Sequence, residues 1–321
     1  MNQHFLQSEA WGKFQTDLKR KVVRKHTNYG DFFGIVERGR FNSRLYIPYG
    51  PQIQSPDNLI ELLEIIKQSA KQQKVDFIRI EPLGNIDTTI LKKAGYRKAK
   101  DVQPSHTIIN TLADDETIQS LTSQTVRRMW RKNLKAGVTF QASYDPQDIE
   151  IFINMIHDVA KRTGMVPHSD AYFRQMASSL FPTKQAGIFY AIYENKPVAS
   201  ILFFSNGETM YYGHAGSYSE YRKLSPATAL GLEMLRYAHK TGHKFFDFYG
   251  IAPEDAPKTN PWYGFTQFKK SFGGQPTEFP GTWNYHYVLS PIIFIISIKR
   301  FIKQFATTPN ICPLICDIIK M

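Results

Sequence analysis

Apolar residues recur at intervals of three and four positions along several segments of the chain, and this spacing is typical of amphipathic helices. It is clearest in residues 58–72, where leucine or isoleucine occupies positions 59, 62, 63, 65 and 66. The same spacing predicts further helices at 7–18, 88–94, 148–162, 169–180 and 226–241. Ser8 is placed to cap the first helix, and glycine follows three of the others, as expected where a helix ends.

Short runs of β-branched and aromatic residues, separated by turn residues, predict strands. These runs lie at 22–23, 32–36, 45–47, 76–80, 187–193, 197–204, 209–214 and 245–248. Asn195-Lys196 and Asn206-Gly207 predict tight turns that join the three strands of 187–214 into hairpins. Three hairpin strands, then a long helix, then another strand is the element order of a GNAT-type acyltransferase.

A similar order of strands and helices occurs twice along the chain, which predicts an α/β (α+β) protein with two domains. The boundary is placed near Gln103-Pro104. We expect a first domain at residues 1–102, completed by 276–321, and a second domain at 103–275. No sequence repeat supports the duplication, so it is inferred from element order.

The 321 residues carry 40 Lys and Arg against 28 Asp and Glu, a formal net charge of +12. A charge of this sign and size favours a polyanionic partner: nucleic acid, an anionic membrane surface or a phosphate-bearing substrate. A lysine-rich surface that keeps the protein soluble has the same composition. Charge alone therefore does not choose among these interpretations.

Features of the two chain ends predict a reduced, cytoplasmic protein. The two cysteines, Cys312 and Cys316, lie in the last ten residues, where they cannot cross-link the body of the fold. The first eleven residues lack the apolar core of a signal peptide. Residues 291–305 form a basic amphipathic pattern that is too short to span a bilayer. We expect this segment either to contact the inner face of the cell membrane or to pack on its own domain.

Eight groups of residues between positions 5 and 283 occur in the order found in FemABX aminoacyltransferases. They are FLQS at 5–8 with WGKFQ at 11–15, PYGP at 48–51, RIEP at 79–82, RK at 131–132 with GV at 137–138, RTG at 162–164 with YF at 172–173, HAGS at 214–217, FDFYGI at 246–251 and FKKSFGG at 268–274. Each is weak alone, but together they resemble this family. The resemblance implies two GNAT-like domains with a substrate cleft between them. The long helical-hairpin insertion that some relatives carry is not expected.

The resemblance also implies a reaction in cell-wall biosynthesis. The expected donor is an aminoacyl-tRNA, and the acceptor is the stem-peptide amine of a peptidoglycan precursor, either UDP-MurNAc-peptide or lipid II. No cofactor is required, and no histidine or cysteine pattern indicates a metal site. An N-acyltransferase that uses acyl-CoA on a polysaccharide or lipid precursor is the alternative. A basic RNA- or membrane-binding module without activity is a third interpretation.

One sequence difference bears on the acyl-CoA alternative. GNAT enzymes bind the acetyl-CoA pyrophosphate with an Arg/Gln-x-x-Gly-x-Gly/Ala loop at a helix start. Here residues 222–227 read RKLSPA. Ser225 replaces the central glycine, and Pro226 lacks an N–H donor. Acetyl-CoA is therefore disfavoured as the donor.

The resemblance assigns the catalytic residues. Lys269 and Phe268 match a family Phe-Lys pair near the reacting ester, where an ammonium can stabilise the oxyanion of ester aminolysis. Phe268 is expected to shape the acceptor channel. Glu81 is the preferred carboxylate if a general base is used, although positioning of the amine alone can supply much of the rate. Its alternative role is as a structural partner of Arg79.

Substrate contacts are assigned in the same way. Lys13 matches a family lysine that contacts the nucleotide-sugar diphosphate, and Tyr172 matches a tyrosine near the same group. His168 stands where some relatives have arginine, which weakens the positive charge at neutral pH and leaves a UDP-linked or a lipid-linked acceptor open. His214 stands where relatives have tyrosine, either in the cleft or as a buried strand residue. Arg79 completes the expected substrate set.

A basic cluster is the expected tRNA contact. No acidic residue lies between Glu116 and Asp145. Helical spacing places most of the basic side chains of this region on one face, suited to phosphates. Trp130 lies within the cluster and would either stack on an unpaired base or anchor the helix to the core. The cluster consists of Arg127, Arg128, Arg131, Lys132 and Lys135, and a membrane-surface role is its alternative.

Overall fold

The computed structural model describes residues 3–287. Contacts divide these residues into two compact units. The larger unit contains residues 3–18 and 104–278, and the smaller unit contains residues 19–103 and 279–287. Within the described part of the chain, no helix has the length and apolar character needed to cross a bilayer. The segment 291–305 and both cysteines lie outside the described residues.

Each unit is built on one β-sheet with helices packed on it. The strands are β1 Lys21–Thr27, β2 Gly30–Arg38, β3 Ser43–Ile47, β4 Gln52–Ile53, β5 Phe77–Ile80, β6 Arg97–Lys98, β7 His106–Thr111, β8 Thr139–Ser143, β9 Ala186–Tyr193, β10 Lys196–Ser205, β11 Thr209–Ser217, β12 Phe245–Asp247, β13 Gln275–Glu278 and β14 Trp283–His286. The helices are α1 Glu9–Asp17, α2 Leu59–Gln72, α3 Thr88–Lys93, α4 Asp115–Leu121, α5 Gln124–Lys135, α6 Ile149–Thr163, α7 Asp170–Leu180, α8 Pro226–Lys240 and α9 Tyr263–Lys270. Single-turn 3-10 helices lie at Phe5–Gln7, Pro56–Asn58, Pro146–Asp148 and Ser219–Tyr221.

In the smaller unit the strand order is β1-β2-β3-β5-β14-β6, and β4 pairs with β2. Neighbours are antiparallel except for β3 and β5, which run parallel. The apolar face of α2 packs with this sheet in a core that includes Leu62, Leu63 and Ile66, all fully buried. The strands and helices predicted from the sequence in this region are present, and the fold class is confirmed as mixed α/β.

In the larger unit the strand order is β13-β7-β12-β11-β10-β9-β8. The predicted hairpins of β9, β10 and β11 are present, and β11 pairs with β12 in parallel. Helix α8 lies across this sheet, with Leu232, Met234 and Leu235 fully buried. The longest described helices, α6 and α8, have 15 residues each.

The observed units differ from the predicted domains at both ends. Residues 3–18 group with the larger unit because Phe5 stacks on Phe204, with ring centroids 4.3 Å apart, and α1 packs on α7. Ser8 caps α1 as expected, accepting a hydrogen bond from the Trp11 amide at 3.1 Å. Strand β13 pairs with β7, so the return to the smaller unit begins at residue 279 rather than 276. These long-range contacts leave no local sequence pattern.

Replacement of Phe5 by alanine is expected to destabilise the larger unit. Phe5 is 3% exposed, and loss of a buried phenylalanine typically costs about 3–5 kcal/mol. Urea unfolding measures the loss, and hydrogen exchange locates it, with faster exchange expected in β10 and β11. Phe41→Ala is the matched control, since Phe41 is 65% exposed. Faster exchange confined to β2 and β3 would contradict the grouping of residues 3–18.

Candidate active site

The candidate site lies where the sheet of the larger unit opens at the end of β12. Strand β12 pairs with β11 only over Thr209–Tyr211, whereas β11 continues to Ser217. After Asp247 the chain leaves the sheet and turns, with positive φ angles at Tyr249 (50°) and Gly250 (92°). The carbonyl groups of this turn are therefore not committed to strand pairing.

Lys269 is the basic side chain that meets this turn. It lies in α9 and is 8% exposed. Its Nζ donates hydrogen bonds to the carbonyl oxygens of Tyr249 at 3.0 Å and Gly250 at 2.6 Å. It also lies 5.2 Å from the ring centroid of Phe265 and 5.8 Å from that of Tyr212. An ammonium has three N–H donors, so within the described residues one donor remains for a substrate.

Burial changes the acid–base behaviour of this lysine. Removal of the ammonium from water lowers the pKa of Lys269 to about 7, and the nearby charge of Asp247 opposes the change. Both the charged and the neutral form are therefore populated near neutral pH. This is an unusual state for a lysine, and such shifts cluster at functional sites.

Asp247 holds the turn in place, a role that the sequence analysis did not assign. Its side chain is 5% exposed, accepts a hydrogen bond from the Thr107 hydroxyl and accepts another from the Tyr249 amide at 2.7 Å. Burial raises the pKa of Asp247, while these two bonds and the charge of Lys269 lower it. The sequence signals were its position within the predicted strand 245–248 and within the FDFYGI group.

Three of the expected substrate residues lie together in the same unit. The His168 ring stacks on Tyr172 with centroids 4.2 Å apart and meets the His214 ring edge-on at 6.2 Å. Burial, together with the charges of His168 and Lys269, lowers the pKa of His214 to about 4. His214 is therefore neutral at pH 7. The structure thus brings His168, Tyr172 and His214 into the surroundings of Lys269.

Lys13 lies on α1, next to the helix that carries Tyr172. Its side chain is 68% exposed and pairs with Asp17 at 2.7 Å. Asp17 also accepts a hydrogen bond from Ser179 of α7 at 2.7 Å. The ring of Phe14, the next residue, meets Tyr172 edge-on at 5.3 Å. The contact between α1 and α7 therefore packs the helix that carries Lys13 against the helix that carries Tyr172.

Phe268 points toward the core of the larger unit. Its ring is partly buried and meets Phe272 edge-on, with centroids 5.0 Å apart. This packing holds α9 in place and therefore supports the position of Lys269. A role for Phe268 in an acceptor channel stays a prediction.

Glu81 and Arg79 lie in the smaller unit and have well-defined partners there. The Glu81 carboxylate is 2% exposed and accepts hydrogen bonds from Tyr46 and Thr282, both at 2.6 Å, and from the Gln103 amide at 2.8 Å. Burial raises its pKa and these hydrogen bonds lower it. Arg79 donates to Asn284 at 3.0 Å. The geometry of both side chains fits a structural network, and their assignment to catalysis and substrate binding stays a prediction.

The basic cluster on α5 divides into two groups. Arg127 donates to the carbonyl groups of Gln119 and Thr122 at the end of α4, and Lys132 donates to the Lys223 carbonyl at 2.7 Å. Both contacts are structural and link α5 to neighbouring segments. Arg128, Arg131 and Lys135 are exposed on α5, as is Lys132, and the assignment of all five residues to tRNA stays a prediction.

Trp130 anchors α5 to the rest of the unit. Its Nε1 donates to Glu233 at 2.6 Å, and the Arg236 guanidinium lies 5.1 Å from its ring centroid. The ring packs against the main core of the unit. Of the two interpretations of Trp130, the anchor is confirmed.

Among residues 3–287, no three His, Cys, Asp or Glu side chains are grouped closely enough to hold a metal ion.

Known proteins resemble this chain in sequence and in fold. Residues 120–264 match the acetyltransferase (GNAT) domain family. A lipid II:glycine glycyltransferase of Staphylococcus saprophyticus is 24% identical and covers 70% of this chain and 72% of that protein. Its counterpart in Staphylococcus aureus is 22% identical over the same shares of the two chains.

Solved structures show the same fold. The crystal structure of FemX superposes with a TM-score of 0.81 at 19% identity and covers 92% of this chain and 95% of that chain. In sequence the chain is similar to the lipid II:glycine glycyltransferases, and in fold it is similar to FemX. The structure of L-PGS from Bacillus licheniformis is more distant, with a TM-score of 0.60 at 12% identity, and covers 90% of this chain and 96% of that chain.

The loop before α8 differs from a typical pyrophosphate-binding loop. Ser225 adopts a left-handed conformation with φ 55°, and Pro226 begins the helix without an N–H. The Lys223 and Leu224 carbonyls accept hydrogen bonds from α5, the second from Asn133 at 2.8 Å. The Thr228 amide is bonded to the Ser225 carbonyl at 3.2 Å. These features reduce the N–H donors that a CoA pyrophosphate would need.

Replacement of Asp247 by asparagine is expected to lower the pKa of Lys269 further below its value in the native protein. The aspartate charge raises this pKa, and the substitution removes the charge while keeping the shape. Titration of ¹³Cε-labelled lysine by NMR measures the shift. Glu116→Gln, which removes an exposed charge in the same unit, is the control. An unchanged Lys269 titration would separate Asp247 from the site.

Proposed function

We propose that the protein transfers an amino acid from an aminoacyl-tRNA to the stem-peptide amine of a lipid-linked peptidoglycan precursor. The observation that carries the proposal is the buried Lys269 amine, held by two carbonyl groups beside His214. The names of the glycyltransferase relatives support lipid II as the acceptor. A UDP-linked precursor carries the same amine and is the alternative acceptor.

The reaction joins the amine to the ester carbonyl. The amine nitrogen attacks the carbonyl carbon and forms a C–N bond, and the carbonyl oxygen becomes an oxyanion. Collapse of this intermediate breaks the C–O bond to the tRNA ribose. A proton lost by the amine reaches the ribose oxygen that leaves. The barrier is therefore sensitive to whatever stabilises the oxyanion and positions the amine.

Lys269 is suited to stabilise that oxyanion. Two of its N–H donors are fixed by the Tyr249 and Gly250 carbonyls, which aims the remaining donor in one direction. The site is largely shielded from water, so the ammonium acts more strongly there than at an exposed position. This role requires the charged form of Lys269. Because the pKa of Lys269 is about 7, the charged form predominates below about pH 7.

The other proposed contacts divide between acceptor and donor. Lys13 is the exposed cation placed to meet the acceptor diphosphate, because a lysine ammonium suits a phosphate as a point charge. His214, neutral at pH 7, supplies a hydrogen bond rather than charge. The exposed face of α5, formed by Arg128, Arg131 and Lys135, is the proposed contact for tRNA phosphates.

The direct test is transfer of a radiolabelled amino acid from charged tRNA to lipid II or UDP-MurNAc-peptide. We expect ribonuclease to abolish the signal. A panel of charged tRNAs that gives no product with either acceptor would contradict the proposal. Transfer from acyl-CoA that is insensitive to ribonuclease would instead support the acyl-CoA alternative, which the GNAT domain match allows.

Replacement of Lys269 by methionine is expected to lower kcat about 100-fold to 1000-fold at pH 6, as for loss of one oxyanion donor. The rate ratio of native protein to variant should fall as pH rises through about 7, because the native ammonium is lost there. The ratio cancels the titration of the substrate amine. A ratio that rises with pH would show that neutral Lys269 acts as a base.

Joint replacement of Arg128, Arg131 and Lys135 by glutamine is expected to weaken tRNA binding and flatten its salt dependence. Three lost phosphate contacts lower the slope of log K against log salt by about 2 to 3. Filter binding between about 50 and 200 mM salt measures this slope. The control replaces Lys184, Lys196 and Lys240, which are exposed in the same unit. An unchanged slope would assign the α5 face to another ligand.

A further inference from the structure

A second cationic surface lies in the smaller unit, at one end of its sheet. The pairing of Lys21 with Val36 and of Arg38 with Ser43 brings the starts of β1 and β3 next to the end of β2. A groove of about 620 Å³ opens there. Its basic lining consists of Lys19, Arg20, Lys21, Arg38 and Arg44.

The basic residues that line this groove outnumber the acidic ones. Arg44 pairs with Glu37, the one acidic residue among those that line it. Arg38 donates to the Gln73 carbonyl at 2.8 Å, a contact that fixes its direction without neutralising its charge. The groove therefore carries a net positive charge and suits an anionic surface.

Phe41 projects from the same end of the sheet. It lies in the turn between β2 and β3, which is closed by a hydrogen bond from the Gly39 amide to the Asn42 carbonyl at 2.8 Å. Its side chain is 65% exposed, the highest value among the large apolar residues described as exposed. The Arg40 guanidinium lies 5.3 Å from its ring centroid. An exposed phenylalanine ring thus lies beside one arginine, in a turn whose Gly39 and Asn42 line the cationic groove.

We propose that this surface docks the protein on an anionic lipid membrane, with Phe41 inserted among the headgroups and the cations at the level of the phosphates. An apolar tip within a basic belt is the arrangement that favours such an interface. RNA is less well matched, because Arg40 already covers one face of the ring that a base would use for stacking. The inference goes beyond the proposed reaction and does not depend on the tRNA donor.

Vesicle sedimentation with the full chain tests the charge of this surface. Vesicles of phosphatidylglycerol and phosphatidylcholine are expected to bind the protein more tightly than vesicles of phosphatidylcholine alone. Replacement of Lys19, Lys21 and Arg40 by glutamine should weaken binding about fivefold for each cation lost. The control replaces Lys92, Lys93 and Arg97, also exposed in the smaller unit, and should bind almost as the native protein does.

Insertion of the ring is tested separately. Phe41→Ser should weaken vesicle binding about tenfold, whereas Tyr29→Ser, at a 40% exposed tyrosine in the turn between β1 and β2, should not. Phe41→Trp should gain fluorescence that brominated lipids quench. Tyr29→Trp should gain fluorescence that they do not quench. Both variants carry the same four native tryptophans, so the difference in quenching between them reports on position 41.

Two results would overturn the proposal. Equal vesicle binding by the native protein, Phe41→Ser and the triple glutamine variant would show that this surface does not meet lipid. If the triple glutamine variant lost tRNA binding but bound vesicles as the native protein does, the surface would be assigned to RNA. The reaction itself is tested by amino-acid transfer, so vesicle binding without transfer would contradict the proposed function and leave the docking surface standing.

Discussion

The proposed chemistry depends on one buried amine held by two backbone carbonyl groups. Lys269 loses most of its hydration inside the larger unit, and its pKa falls to about 7. Donation to the Tyr249 and Gly250 carbonyls partly replaces the lost water. The same two bonds fix the direction of the side chain. Unlike an exposed lysine, Lys269 therefore has a fixed direction and gains or loses its proton near neutral pH.

The carbonyl groups that bind this amine lie in the turn that follows strand β12. Strand β12 stops pairing with β11 at Asp247, and the chain then turns with two positive φ angles. Asp247 holds the turn through the Tyr249 amide, while Phe268 and Phe272 seat α9 against the core. His214 lies on the part of β11 that extends past this point. Backbone geometry and acid–base chemistry are thus set by the same few residues.

Local patterns were sufficient for the main helices and hairpins, because their periodicity reports burial directly. Lys269 was predicted from a family motif rather than from periodicity. Its low pKa could not be predicted, because it depends on burial that no local pattern shows. Asp247 was missed because its partners, Thr107 and Tyr249, meet only in the folded chain. The grouping of residues 3–18 failed for the same reason, as Phe5 packs on Phe204. Arg127 and Lys132 were expected to contact tRNA phosphates, and the sequence did not show that both also donate to backbone carbonyls.

The central claim is that the Lys269 ammonium meets the oxyanion of the tetrahedral intermediate. The most direct measurement is a crystal structure with a phosphonate that joins an aminoacyl-ribose fragment to the acceptor amine position. We expect Lys269 Nζ to lie within about 2.7–2.9 Å of a phosphonate oxygen, the length of a charge-assisted hydrogen bond. A phosphonate bound elsewhere, with Lys269 still enclosed by its two carbonyl groups and out of reach, would contradict it.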